Sequence, residues 1–68
     1  MRVGDKVEWN WGDGSATGEI KKRYTQKITL KIKGSDVTRN ASNDDPAFLI
    51  EQEDGDEVLK SASELNAA

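Results

Sequence analysis

Apolar and polar residues alternate with a period of two in this chain, and this pattern restricts the possible folds more than any other feature. Val7, Trp9 and Trp11 alternate with polar residues, and the run from Ile28 to Ile32 alternates more regularly still. A period of two puts every second side chain on one face, which is typical of a half-buried β-strand. The sequence therefore predicts a mostly β fold.

Five short strands are predicted, and turn-forming residues separate them. The second and third strands are expected to pair as a hairpin, which we name the basic hairpin Lys21–Lys33. Gly18 inside the second strand indicates a bend or a close approach of another backbone. Asp54 and Gly55 predict a tight turn between the last two strands. The five strands are predicted at residues 6–11, 17–24, 28–33, 47–52 and 57–60.

The end of the chain predicts one helical turn. Ser61 lies three residues before Glu64, which is the spacing of a capping box, and Leu65 would then close one end of the fold. A chain of 68 residues predicts one domain, which we expect to be ordered from about residue 3 to residue 65. Closing five strands into a small barrel removes exposed edges, so we expect a five-stranded barrel with a C-terminal single helical turn.

The composition argues against catalysis. The chain has no histidine and no cysteine, so it lacks the commonest general base, thiol nucleophiles and the usual zinc ligands. We therefore expect no enzyme activity, no cofactor and no metal site. The start is polar and no apolar run approaches the length of a membrane helix, so we expect a cytoplasmic protein without a membrane partner.

Several segments are similar to one known family. They are the opening at 3–9, then 32–34, 37–42, 45–47, 49–51, 54–55, 58–60 and 63–65. In these segments the chain resembles the hypervirulence-associated Tudor-domain family, small bacterial and fungal proteins of unknown function. The resemblance covers about Gly4 to Leu65 and implies a Tudor-like, SH3-like barrel. It implies no functional residue, because the family has no established ligand or activity.

The aromatic residues form the first candidate site. They are Trp9, Trp11, Tyr24 and Phe48. Aromatic rings grouped on a surface bind cations through their faces, and Tudor domains that read methylated side chains use such cages. The alternative is that the rings fill the core, because aromatic side chains dominate small cores. Trp11, beside the glycine-rich turn, is the ring that we expect at the rim of the barrel.

The basic residues form the second candidate site. Residues 19–40 carry seven lysines and arginines against two acidic residues, whereas residues 41–68 carry one lysine against eight. The basic residues of this middle segment are Lys21, Lys22, Arg23, Lys27, Lys31, Lys33 and Arg39. They could follow a phosphate backbone, or they could form a solvated face that prevents aggregation of a strand edge. The acidic C-terminal third opposes general binding to nucleic acid.

Two functions remain open at the level of sequence. The first is a non-enzymatic binding module with a protein or peptide partner near the aromatic rings. The second is a nucleic-acid-binding module that uses the basic hairpin.

Overall fold

Seven strands and one short 3-10 turn make up the chain, as seen in a computed structural model that describes residues Met1–Ala68. No helix is long and apolar enough to cross a membrane. In chain order the elements are β1 (Lys6–Trp11), β2 (Gly14–Tyr24), β3 (Ile28–Ile32), β4 (Ser35–Arg39), β5 (Ala47–Gln52), β6 (Glu57–Ser61), the 3-10 turn (Ala62–Glu64) and β7 (Asn66–Ala67).

Five of the strands form one antiparallel sheet in the order β6-β5-β2-β1-β7. The 3-10 turn connects β6 to β7, which lie at the two ends of this order, so the chain returns to the first strand as it ends. The predicted fold class is confirmed: the chain is mostly β, a small Tudor-like barrel of five strands with a single helical turn near its C-terminus.

The predicted partner of the second strand is wrong. β3 pairs with β4 in a separate two-stranded ribbon, and β2 lies between β1 and β5. The basic hairpin Lys21–Lys33 therefore does not exist as a paired unit, because this end of β2 pairs with β5 and β3 pairs with β4. The fifth strand of the barrel is instead Asn66–Ala67, which pairs with Val7 and Glu8 at the chain end where the sequence suggested disorder.

The ribbon has its own tight turn. Ile32 pairs with Ser35, which leaves Lys33 and Gly34 as a two-residue loop. Both residues have positive φ, 51° for Lys33 and 79° for Gly34. Two consecutive residues of positive φ match the twist of an antiparallel pair, so this turn favours the pairing of β3 with β4 over any longer-range partner.

Gly18 lets β5 approach β2 closely. A Cβ atom at this position would lie 2.6 Å from Ile50 Cγ2 and 2.7 Å from the Glu51 carbonyl oxygen. Gly18 is buried and pairs with Gln52, the last residue of β5. The close approach predicted from the sequence is therefore present, and its partner is β5.

The core lies on one face of the five-stranded sheet. It consists of Val7, Trp9, Ile20, Phe48, Ile50 and Leu65. Leu65 is 7% exposed and closes this core after the 3-10 turn, as the sequence predicted. The Ser61 N–H donates to Glu64 Oε1 at 3.0 Å, which supplies the Glu64 half of the predicted capping box.

The opposite face of β5 and β6 is also covered. Ala47 and Leu59 alternate with the core residues and lie outside the core cluster, yet they are buried. β4 contacts β6 at this edge, and the Arg39 Nε–H donates to the Leu59 carbonyl oxygen at 3.3 Å. We conclude that the ribbon packs over this side of the barrel.

Candidate binding surface

The four aromatic rings do not form a cage. Trp9 is 2% exposed and Phe48 is 1% exposed, so both are core residues and neither lies at the rim. Tyr24 is half-buried at the last residue of β2. Trp11 is 71% exposed and pairs with Gly14, the first residue of β2. The two accessible rings are therefore far apart, with Trp11 beside the first residue of the eleven-residue strand β2 and Tyr24 at its last.

Trp11 is exposed because β1 extends past the core. Trp9 lies opposite Ala16, and Trp11 lies opposite Gly14, which has no side chain to cover it. β5 ends opposite Gly18 and offers no covering residue beyond that point. Gly12 and Asp13 then close the hairpin, with Gly12 at a φ of 56°. Tryptophan side chains are enriched at protein interfaces.

A groove begins at Trp11 and follows the first half of β2. Three adjoining depressions meet at Gln52, which lines all of them, and each of Ser15, Ala16, Thr17 and Glu53 lines two. The depression beside Trp11 has a volume of about 360 Å³ and is also lined by Lys33 and Asp56. We call this surface the Trp11 groove, and it is bounded by Trp11, the segment Gly14–Glu19 of β2, and residues 51–56 of β5 and the β5–β6 turn.

The electrostatics of the Trp11 groove are dominated by acidic side chains. Glu53 and Asp54 have no cationic side chain within ion-pair distance, whereas Lys33 Nζ lies 2.5 Å from Asp56 Oδ2. That hydrogen bond raises the pKa of Lys33 above its ordinary value, and the charges of Asp56 and, to a smaller extent, Asp54 add to the effect. The single lysine at the Trp11 end of the groove is thus neutralised, and the free charge there is negative.

The β5–β6 turn that forms one wall is held by its own hydrogen bonds. The Gln52 N–H donates to the Asp56 carbonyl oxygen at 2.7 Å, and the Gly55 N–H donates to the Gln52 carbonyl oxygen at 2.9 Å. Gly55 has a φ of 88°, as the predicted Asp-Gly turn requires. Asp54 Oδ1 accepts a hydrogen bond from the Asp56 N–H at 2.9 Å. The wall therefore has a defined shape.

The structure divides the seven basic candidates into two groups. Three of them are paired with acids: Lys21 with Glu19 and Glu51, Lys33 with Asp56, and Arg39 with Glu64. The hydrogen bond to Glu19 raises the pKa of Lys21, and the charges of Glu19 and Glu51 raise it further. The four without an acidic partner within 4.0 Å are Lys22, Arg23, Lys27 and Lys31.

Three of the unpaired cations lie near the end of β2. Lys22 and Arg23 follow a bulge between Ile20 and Lys22, where the register against β5 shifts. Arg23 and Lys27 line a depression of about 260 Å³ with the half-buried Tyr24. The bulge explains why Lys22 can be exposed although it lies two residues from the buried Ile20. This basic end of β2 is separate from the Trp11 groove at the other end.

Two lining residues were candidates from the sequence, Trp11 among the aromatic residues and Lys33 among the basic ones, and the rest of the groove was missed. Ser15, Gln52 and Glu53 carry no motif, and they come together only because β2 is longer than β5. The acidic residues of the C-terminal third do not gather into a cluster of three or more that could hold a metal ion. Four of them line the groove: Glu51, Glu53, Asp54 and Asp56.

The comparisons with known proteins agree with this architecture. Residues 4–65 match the family described as "Hypervirulence associated proteins TUDOR domain". No curated protein and no solved structure matched the sequence.

Proposed function

Because the chain belongs to the hypervirulence-associated Tudor-domain family, we propose that it is a non-enzymatic binding module that recognises a protein or peptide partner through the Trp11 groove. The family supports a binding role in general, and the groove supplies the location. The observation that carries the proposal is the 71% exposure of Trp11 beside a groove, in a domain whose other tryptophan is buried.

The energetic reason is the cost of leaving an indole in water. Burying apolar surface gains about 25 cal/mol per Å², and a tryptophan offers more such surface than any other side chain. Interfaces obtain most of their binding energy from a few residues, among which tryptophan is enriched. Trp11 is not part of the core, so a partner that covers its side chain would gain binding free energy while the domain stays folded.

The test compares Trp11→Ala with a matched surface control, Val3→Ser. Val3 is 58% exposed and lies outside the groove, so its replacement also removes exposed apolar surface. Immobilised wild-type protein would select partners, and each selected partner would then be titrated against the three purified proteins. We expect Trp11→Ala to abolish binding and Val3→Ser to retain it. Equal binding by all three folded proteins would contradict the proposal.

Tryptophan fluorescence provides a direct readout of the same titration. Trp9 is buried, so a change in emission on binding reports mainly on Trp11. A partner in the groove should shift the emission to shorter wavelength and protect it from acrylamide. A partner that binds without either effect would place the interface elsewhere on the barrel.

Nucleic-acid binding at the basic end of β2 is the alternative function. It is favoured by one observation, the grouping of Arg23, Lys27 and Tyr24 around a single depression, where phosphate contacts and base stacking could combine. Titration with single- and double-stranded DNA and RNA at two salt concentrations tests it. Binding should weaken steeply with salt and be lost in Lys22→Glu with Arg23→Glu, whereas no binding at low salt would exclude it.

A further inference from the structure

The first half of β2 has a free edge. β1 occupies one side of Gly14–Thr17, and β5 begins to occupy the other side only at Gly18. No backbone hydrogen bond joins Ser15 or Thr17 to residues 53–56 of the neighbouring turn. Such an edge, with unpaired polar groups, is a template for pairing with another chain.

The direction of the unpaired groups follows from the alternation along β2. The Ile20 N–H donates to the Asp5 carbonyl oxygen at 2.9 Å, and the Ile20 carbonyl oxygen accepts from the Gly4 N–H at 2.8 Å. Both bonds lie on the β1 side, so backbone groups of even-numbered residues point there and those of odd-numbered residues point away. Ser15 and Thr17 therefore direct their backbone groups into the Trp11 groove.

The charge around this edge determines the kind of partner. Glu53 and Asp54 flank it with no cationic group within 4.0 Å, and Lys33 forms its ion pair with Asp56. The free edge of β2 runs from Gly14 to Thr17, about 10 Å at the rise of an extended strand, which is enough for three or four residues. A second copy of this chain is a poor occupant because each copy has a net charge of -3.

We propose that an extended, basic segment of a partner protein adds to β2 as a new strand at Ser15–Thr17. Its backbone pairs with the free edge, its lysine or arginine side chains face Glu53 and Asp54, and one of them lies across Trp11. This inference rests on the proposed function, because it uses the same groove and specifies the mode of binding and the chemistry of the partner.

The probe is an acetylated, amidated octapeptide of alternating lysine and threonine, followed by amide NMR on the full chain. We expect shift changes at Ser15, Thr17 and the Trp11 indole N–H. Two control peptides separate the contributions: one with N-methyl groups on alternate residues, which keeps the charge but blocks strand pairing, and one with glutamate in place of lysine. Each control should bind about tenfold more weakly or worse.

Variants of the chain test the same points. Ser15→Pro removes an edge N–H at a position where proline is compatible with a free strand edge, and it should weaken peptide binding by about tenfold. If Ser15→Pro fails to fold, Glu53→Gln with Asp54→Asn provides the second test, and Asp44→Asn with Glu57→Gln is its matched control. The first pair should weaken binding, and the control pair should leave it unchanged.

The outcomes distinguish this inference from the proposed function. It is overturned if the N-methylated or acidic peptide binds as well as the basic one, if shift changes avoid Ser15–Thr17, or if the chain instead pairs with itself in sedimentation experiments. It is also overturned if a selected partner depends on Trp11 and binds Ser15→Pro normally, although the proposed function would then stand. If the selected partners bind Trp11→Ala as tightly as they bind the wild-type protein, the proposed function itself is contradicted.

Discussion

Trp9 and Trp11 lie two residues apart in β1, and 2% of Trp9 is exposed against 71% of Trp11. Alternation directs both indoles to one face of the strand. The difference arises across the hairpin, because Ala16 lies opposite Trp9 over the core and Gly14 lies opposite Trp11 beyond it. Trp9 therefore contributes to the stability of the fold, whereas Trp11 is accessible to a partner.

Replacing each tryptophan by alanine should lower stability strongly at Trp9 and hardly at all at Trp11. Trp9→Ala leaves a cavity among Val7, Ile20 and Leu65, and it should lower the free energy of unfolding by about 3–5 kcal/mol. Trp11→Ala should change it by less than about 0.5 kcal/mol, because the side chain is mostly in water. Urea denaturation followed by circular dichroism measures both, and similar losses for the two variants would contradict this assignment.

Gly18→Ala should destabilise the barrel by about 1–3 kcal/mol. The added methyl group would lie 2.6 Å from Ile50 Cγ2 and 2.7 Å from the Glu51 carbonyl oxygen, so β5 must move away from β2. Gly14→Ala is the matched control in the same strand, because its nearest atom is the Trp11 carbonyl oxygen at 4.0 Å. Thermal unfolding should show a clear loss for the first variant and little change for the second.

The strands were predictable where local pattern determines them, and their partners were not. Ile28–Ile32 alternates so regularly that its strand is evident in the sequence, but its pairing depends on the positive φ at Lys33 as well as Gly34. A lysine in that conformation has no clear sequence signal. Asn66–Ala67 is a strand only because β1 has a free edge beside it, which is a tertiary effect.

The same limit applies to the candidate site. The aromatic residues could be listed from the sequence, but their exposure depends on where each strand ends. Trp11 is accessible because β5 stops at Gln52, and Phe48 is buried because it lies in the middle of the sheet. Likewise, the basic segment reads as one patch in sequence, yet Lys21 is paired with Glu51 from a strand that is distant in the chain.

The pKa of Lys21 and that of Lys33 should each lie above the ordinary value for a lysine. Hydrogen bonds to Glu19 and to Asp56 raise the pKa of Lys21 and of Lys33, respectively. Since each pKa is raised in the folded state, the stabilisation that it represents is complete below the ordinary value near 10.5 and is lost as the pH rises through the folded value. NMR titration of the side-chain carbons measures each lysine separately.

Asp56→Asn provides the control for this titration. It removes the charge that faces Lys33 and leaves the Glu19 and Glu51 carboxylates beside Lys21 unchanged. The pKa of Lys33 should return towards its ordinary value, and that of Lys21 should stay raised. If Lys21 and Lys33 both titrate at the ordinary value near 10.5 in the wild-type protein, the ion pairs do not form in solution.

Arg39 should hold the ribbon of β3 and β4 against the barrel. Its Nε–H donates to the Leu59 carbonyl oxygen at 3.3 Å, and its Nη2 lies 3.7 Å from Glu64 Oε1, so one side chain reaches both β6 and the 3-10 turn. Removing it in Arg39→Ala eliminates a hydrogen bond worth about 1 kcal/mol, which corresponds to about a fivefold change in a local opening equilibrium. Lys31→Ala is the control, because Lys31 is exposed in the same ribbon and has no acidic partner within 4.0 Å.

Amide hydrogen exchange distinguishes a local effect of Arg39→Ala from a global one. The amides of β3 and β4 should exchange about fivefold faster, and those of Ile20 and Ile50 in the core should keep the wild-type rate, because parts of a domain open independently. Uniform acceleration across ribbon and core would mean that the two unfold as one unit. No acceleration would mean that the apolar face of the ribbon, with Leu30 and Val37 half-buried, is sufficient to hold it in place.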